Sequence, residues 1–141
     1  MNELYQHLSI YRKKYITNLY KNMTVLNCEF TKKLSLEERK VESEKMLAKY
    51  PDRVPAIIVL AKGTNLPALE SSKYLIPSDL TVGHFIYVLR TKIKLRSEES
   101  IFLFTNGVLP PTGHIMSHVY EKHKSNDGFL YFTIAQENVF G

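Results

Sequence analysis

The strongest constraint on the fold is the run Gly128-Phe129-Leu130-Tyr131-Phe132-Thr133-Ile134 near the end of the chain. Its aromatic and branched apolar side chains leave no side to turn toward water, so the run reads as a strand buried at the centre of a sheet. It opens with the turn pair Asp127-Gly128. A second apolar run, Arg53-Val54-Pro55-Ala56-Ile57-Ile58-Val59-Leu60, reads as another strand covered on both faces. Two such strands need helices on the sheet, and the rest of the chain has to supply them.

Ser35-Leu36-Glu37-Glu38 has capping-box spacing, with Ser35 as N-cap, and predicts a charged helix over Leu36 to Lys49. Leu36, Val41, Met46 and Leu47 make only a thin apolar stripe, so this helix belongs on the domain surface. Tyr50-Pro51-Asp52 ends it, because the residue before proline avoids the helical region. After the turn at Gly63-Thr64-Asn65, Lys73-Tyr74-Leu75-Ile76 reads as a strand paired with the first in a hairpin. Pro77 at its exit suits a sheet edge. Thr81 or Asp79 caps the next helix, whose apolar face is Val82, Phe85, Ile86, Leu89 and Ile93 and whose last turns carry Arg90, Lys92 and Lys94. Ile101 to Thr105, Asn106-Gly107 and Val108 to Pro110 form a hairpin signal with a mirror-type turn. His114 to Lys124 is a short helix candidate.

The order of elements is consistent with an α+β, ubiquitin-like β-grasp. That fold is a four-stranded mixed sheet with a packed helix, the first and last strands side by side at its centre, preceded here by N-terminal helices. The chain of 141 residues is long enough for one self-supporting domain. Residues 1–34 are expected as an extension, partly helical or disordered, and 35–141 as the domain, with a flexible tail from 135 to 141. In the extension Leu4, Leu8, Tyr11, Tyr15 and Leu19 recur at helical steps. Three readings of that stripe stand: contact with an anionic membrane or a partner, packing on the chain's own domain, or disorder.

Charge and cysteine use narrow the function classes. The net charge of +5 is concentrated in the extension, where Arg12, Lys13, Lys14, Lys21, Lys32 and Lys33 face only Glu3 and Glu29. The body lacks the basic, aromatic-interleaved groove of a nucleic-acid binder, so no nucleic acid is expected. The single cysteine, Cys28, suits a reducing compartment and excludes a multi-cysteine metal site. No apolar run approaches membrane-spanning length, and a cytoplasmic protein is expected. His114 and His118 lie four apart with no third ligand in view, Cys28 has no nucleophile signature, and no phosphate-binding glycine loop is present. No catalytic residue, metal or cofactor is expected. At the end of the chain Gly141 offers a carboxylate on a thin stalk, useful if that carboxyl group is itself a substrate and ordinary for a frayed end otherwise.

Tyr50-Pro51-Asp52-Arg53-Val54-Pro55, Lys73-Tyr74-Leu75-Ile76-Pro77-Ser78-Asp79-Leu80-Thr81-Val82-Gly83, Asp127-Gly128-Phe129-Leu130-Tyr131 and the final Phe140-Gly141 closely resemble the autophagy-related ubiquitin-like modifiers, the GABARAP and microtubule-associated light-chain family. The resemblance covers roughly residues 35–141. It implies a substrate rather than an enzyme. A cysteine protease trims such a protein to a C-terminal glycine, activating and carrier enzymes pass it on, and it ends as an amide on phosphatidylethanolamine of autophagosomal membranes. Gly141 matches the conjugated residue and Phe140 the aromatic one before it.

The resemblance also implies a docking groove for receptor peptides of aromatic-xx-aliphatic pattern, added as a strand to the sheet edge. Glu42, Met46, Pro55, Ile57, Lys73, Leu75 and Phe129 match the aromatic pocket. Tyr74, Ile76, Pro77, Leu80, Phe85 and Val88 match the aliphatic pocket, and Arg53 matches a residue beside the peptide. Two departures stand out. Ser71 and Ser72 occupy positions where the family is commonly basic, which weakens the expected preference for acidic flanks. Residues 1–25 exceed the usual start, and Tyr5-Gln6-His7-Leu8 within them has the motif spacing, so docking of the chain on itself is a further reading. The implied functions are a lipid-conjugated tag and scaffold, a non-lipidated adaptor for trafficking or microtubule partners, and a modifier joined to a protein.

Overall fold

The computed structural model describes residues 28–136 apart from positions 62, 65, 67, 68, 70 and 71. The extension stripe, Tyr5 to Leu8, Phe140 and Gly141 lie outside the described residues.

Four strands form one sheet: β1 (Arg53–Leu60), β2 (Lys73–Pro77), β3 (Ile101–Phe104) and β4 (Leu130–Gln136), in the order β2-β1-β4-β3. The two most apolar runs are the central strands. They pair in parallel, Ile57 beside Tyr131 and Ile58 beside Phe132, while both outer strands are antiparallel to their neighbours. This mixed sheet has the strand order of the β-grasp.

Alternation along the strands splits the side chains between two faces. Val54, Ala56, Ile58, Ile76, Ile101, Leu103, Leu130, Phe132 and Ile134 turn to one face. There they join Val82, Phe85, Leu89 and Ile93 of helix α3 (Val82–Ile93) and Met116 and Val119 of helix α4 (Met116–His123) in the main core. Thr81, not Asp79, caps α3: its Oγ1 accepts from the His84 N–H at 3.1 Å. The other face carries Ile57, Phe129 and Tyr131 under helices α1 (Glu29–Lys33) and α2 (Leu36–Lys49).

The capping box forms as the spacing predicts. Ser35 Oγ accepts from the Glu38 N–H at 3.2 Å, and Glu38 Oε1 accepts from the Ser35 N–H at 3.1 Å. Leu36 and Val41 are exposed, and the fully buried residue of α2 is Ser43. A polar contact therefore does part of what the thin apolar stripe does not.

Three boundaries differ from expectation. The last strand begins at Leu130 because Asp127-Gly128-Phe129 is a turn: Gly128 has φ +86°, and Ser125 N–H donates to the Phe129 carbonyl at 2.8 Å. The same strand runs through Ala135 and Gln136, into the stretch expected as a tail, because pairing with Phe102 and Ile101 continues. The mirror-type turn is present, with φ of 47° at Asn106 and 80° at Gly107, but the second arm of that hairpin is a single bridge between Thr105 and Val108. Pro110 and Pro111 cannot donate to a ladder, so the chain leaves the sheet there.

Candidate functional site

Among the described residues β2 is an outer strand of the sheet, so the side of it turned away from β1 is the natural place for another strand. The Ile58 N–H donates to the Ser72 carbonyl at 2.7 Å, which fixes the alternation: the backbone of Tyr74 and Ile76 faces β1, and that of Lys73 and Leu75 faces outward. Pro55 stands opposite Leu75, at a position where no ladder donor is needed. Arg53 Nη1 donates to the outward Leu75 carbonyl at 3.3 Å.

On one side of this edge the structure gathers Ile57, Met46 and Phe129, with Ile57 and Phe129 buried. Glu42 and Lys73 form an ion pair that spans from α2 to β2 above them. Phe30 of α1 packs edge-on to Phe129 with ring centroids 5.0 Å apart, and the Lys73 ammonium lies 5.6 Å from the Phe30 centroid. Sequence reasoning missed Phe30, because a five-residue helix with no apolar period gives little to read. A cleft of ≈ 310 Å³ opens beside it, lined among others by Cys28, Phe30, Ile57, Val59, Leu60 and Leu69.

On the other side Tyr74 meets Phe85 at 6.2 Å between centroids, and Lys92 Nζ lies 5.4 Å from the Tyr74 centroid. Leu80 packs against the same core, in which Ile76 and Phe85 are 2% and 3% exposed. Those two therefore form a floor rather than walls. Val88 is half-buried on α3. By alternation Pro77 shares the side of Lys73 and Leu75 rather than that of Tyr74 and Ile76.

The turn beneath the first cluster is held by Asp127, which is 2% exposed. Its Oδ2 accepts from Arg39 Nε at 3.0 Å and from the Tyr131 hydroxyl at 2.5 Å, its Oδ1 accepts from the Phe129 N–H at 2.9 Å, and its carbonyl accepts from Ser43 Oγ at 2.5 Å. Arg39 Nη1 also donates to the Leu34 and Thr31 carbonyls at 2.6 and 3.3 Å, tying the end of α1 into the same network. Burial pushes the Tyr131 hydroxyl far above the ordinary phenol range, and the hydrogen bond to Asp127 and its charge add to the effect. These groups hold α1, α2 and the start of β4 in register, and so position Phe30, Met46 and Phe129.

His114 and His118 are exposed, with rings 4.8 Å apart, and among the described residues no group of three or more histidine, cysteine or acidic side chains is placed to hold a metal. No described helix is long and apolar enough to cross a membrane.

The family model described as "Autophagy protein Atg8 ubiquitin like" matches residues 38–141. Autophagy-related protein 8 of Schizosaccharomyces pombe is 49% identical over 116 residues, 82% of this chain and 96% of its own length. Autophagy-related protein 8e of Arabidopsis thaliana is 53% identical over 105 residues, 74% of this chain and 86% of its own.

This chain belongs to the Atg8 family.

Like other members of the Atg8 family it is a ubiquitin-like modifier of autophagy and not an enzyme. Among solved structures, that of Trypanosoma brucei ATG8 superposes with a TM-score of 0.75 at 35% identity, covering 82% of this chain and 99% of that one. Plasmodium falciparum Atg8 in complex with a Plasmodium falciparum Atg3 peptide superposes with a TM-score of 0.70 at 35% identity, covering 76% and 94%. The β-grasp inferred for the Atg8-like region is thereby established.

Proposed function

We propose that this chain is a membrane tag whose Gly141 carboxyl group is conjugated to phosphatidylethanolamine, and that it recruits receptors carrying aromatic-xx-aliphatic peptides to the β2 edge. The observation that carries the docking half is the outward Leu75 backbone, lying between an apolar cluster at Met46, Ile57 and Phe129 and another at Tyr74, Leu80 and Phe85. An incoming strand gains main-chain hydrogen bonds from such an edge and specificity from a cluster on either side. The Plasmodium falciparum relative is held with a peptide of Atg3, which supports peptide recognition and contact with the conjugation machinery as properties of this chain.

On this reading Glu42, Met46, Pro55, Ile57, Lys73, Leu75 and Phe129 take the aromatic side chain. Tyr74, Ile76, Leu80, Phe85 and Val88 take the aliphatic one; Pro77, matched to that pocket by the resemblance, lies instead on the side of Lys73 and Leu75, and Arg53 sits beside the peptide. A processing cysteine protease and the activating and carrier enzymes handle Phe140 and Gly141. Adenylation by ATP turns an unreactive carboxylate into an acyl donor with release of pyrophosphate, a carrier thiol displaces AMP to form a thioester, and the lipid amine displaces that thiol to leave an amide. The protein then divides between cytoplasm and autophagosomal membranes.

The test of conjugation is reconstitution with activating and carrier enzymes, ATP and liposomes containing phosphatidylethanolamine, followed by intact mass, beside Gly141→Ala. A glycine-dependent gain of one lipid is expected. No adduct from enzymes active on another modifier contradicts lipidation and favours a non-lipidated adaptor or a protein target.

A further inference from the structure

A second cleft, of ≈ 240 Å³, opens between helix α4 and the stretch that follows β3, and β2 lies at the other edge of the sheet from β3. Its floor is apolar: Leu109 and Val119 are 5% and 1% exposed, and Pro110 is buried. Its rim carries His114, His118, Lys122 and His123, and no carboxylate lines it. Both walls are held to the frame by hydrogen bonds. Asn106 Nδ2 donates to the His123 carbonyl at 3.2 Å, which ties the turn after β3 to the end of α4. The His114 N–H donates to the Pro111 carbonyl at 3.0 Å, and the His114 carbonyl accepts from the Val82 N–H at 2.9 Å.

The helix dipole accounts for Lys122 and His123, which sit in the last turn of α4. It favours acidic groups in the first turn, where none occurs. His118 in that first turn and His114 ahead of it therefore call for another reason, and their rings meet edge-on with centroids 4.8 Å apart. Size and charge select the occupant. The cleft is smaller than the roughly 300–1,000 Å³ of a drug-sized ligand pocket, so its floor takes about one apolar side chain. A flat bilayer surface reaches the rim but not the floor. An extended peptide reaches both.

We propose that this cleft is a second docking site, for a short acidic segment of a partner protein that seats one apolar side chain on Leu109, Pro110 and Val119 and sets its carboxylates against the His114, His118, Lys122 and His123 rim. Lys122 supplies the fixed cation. The imidazoles donate as neutral rings and gain charge as pH falls through the histidine range. His118 and Lys122 face His123 from α4, and Asn106 faces it from the turn. Burial first, then Lys122 and His118, hold the His123 imidazolium below its ordinary 6.5, and an entering carboxylate acts in the opposite direction. Binding therefore takes up protons and strengthens on acidification. No residue that lines the cleft belongs to the β2 edge, so the two sites are separable.

The test titrates a capped peptide, one leucine between glutamates, into the 15N-labelled full chain. The peptide lacks the aromatic-xx-aliphatic pattern. Saturable amide-shift changes are expected at His114, His118, Val119 and Lys122, with tighter binding at about pH 6 than at about pH 7.5. His118→Gln with Lys122→Gln, both exposed positions, should weaken binding roughly tenfold. Serine in place of the peptide leucine should weaken it as well. No saturable change at millimolar peptide, changes confined to Lys73–Pro77, equal affinity at the two pH values, or equal binding by the parent and the glutamine variant overturns the proposal. Uptake by phosphatidylserine vesicles through His118 and Lys122 without peptide binding also overturns it, in favour of a membrane surface.

Discussion

Asp127 gathers more of the local order than any other side chain near the β2 edge, because one carboxylate holds Arg39, Tyr131 and the Phe129 amide at once. Arg39→Ala would leave that carboxylate buried without its cation, and breaking a buried ion pair from one side costs about 3 kcal/mol or more. Urea unfolding should show the loss as a lower midpoint. Gly128→Ala should also destabilise, since its φ of +86° is left-handed and an added Cβ would run into the Ser43 side chain. The cap of α2 predicts a pH effect. Hydrogen bonds from the Ser35 backbone and hydroxyl hold the Glu38 carboxyl below its ordinary 4.5. A depressed carboxylate stabilises the fold above the unfolded value and loses that contribution as pH falls through the folded one. The melting-temperature gap between the parent and Glu38→Gln should therefore narrow below about pH 4.5 and hold at neutral pH; a gap independent of pH would sink the argument. Ser35 and Glu38 were legible because they are three residues apart. The Arg39 and Ser43 contacts with Asp127 span 88 and 84 positions, and no local pattern carries such a pairing.

At the scale of elements, the two apolar runs were readable as central strands because continuous burial leaves no polar alternation. Their place side by side was expected only from the order of elements, and their parallel direction is carried by neither run on its own. Val108 to Pro110 shows the opposite failure: a turn signal was correct, but prolines removed the donors that an arm would need. Of the candidate site, the edge strand and both apolar clusters follow from residue matches. Phe30 does not, since its role depends on where α1 lands rather than on α1 itself. The edge makes its own prediction. If the outward Leu75 backbone pairs with a bound strand, methylating the peptide nitrogen that faces it removes a main-chain hydrogen bond worth about 1 kcal/mol and adds a clash. A titration should show affinity lower by roughly tenfold or more. Methylation at the neighbouring nitrogen, which points away, should be nearly silent.

For the molecule as a whole, the parallel pair β1 and β4 sends the chain out past Leu60, at the end of the sheet where β2 begins with Lys73. On the proposed reading, the residues that lead to Gly141 leave the sheet after Gln136 at that end, and the docking edge runs from there toward Pro77. The most direct test is calorimetric titration of an aromatic-xx-aliphatic peptide into the full chain, beside Tyr74→Ala with Leu75→Ala. The account predicts one saturable site in the parent and no measurable binding in the double variant, with unchanged far-ultraviolet circular dichroism. Equal affinity in the two proteins, or no binding by a correctly folded parent, would contradict it.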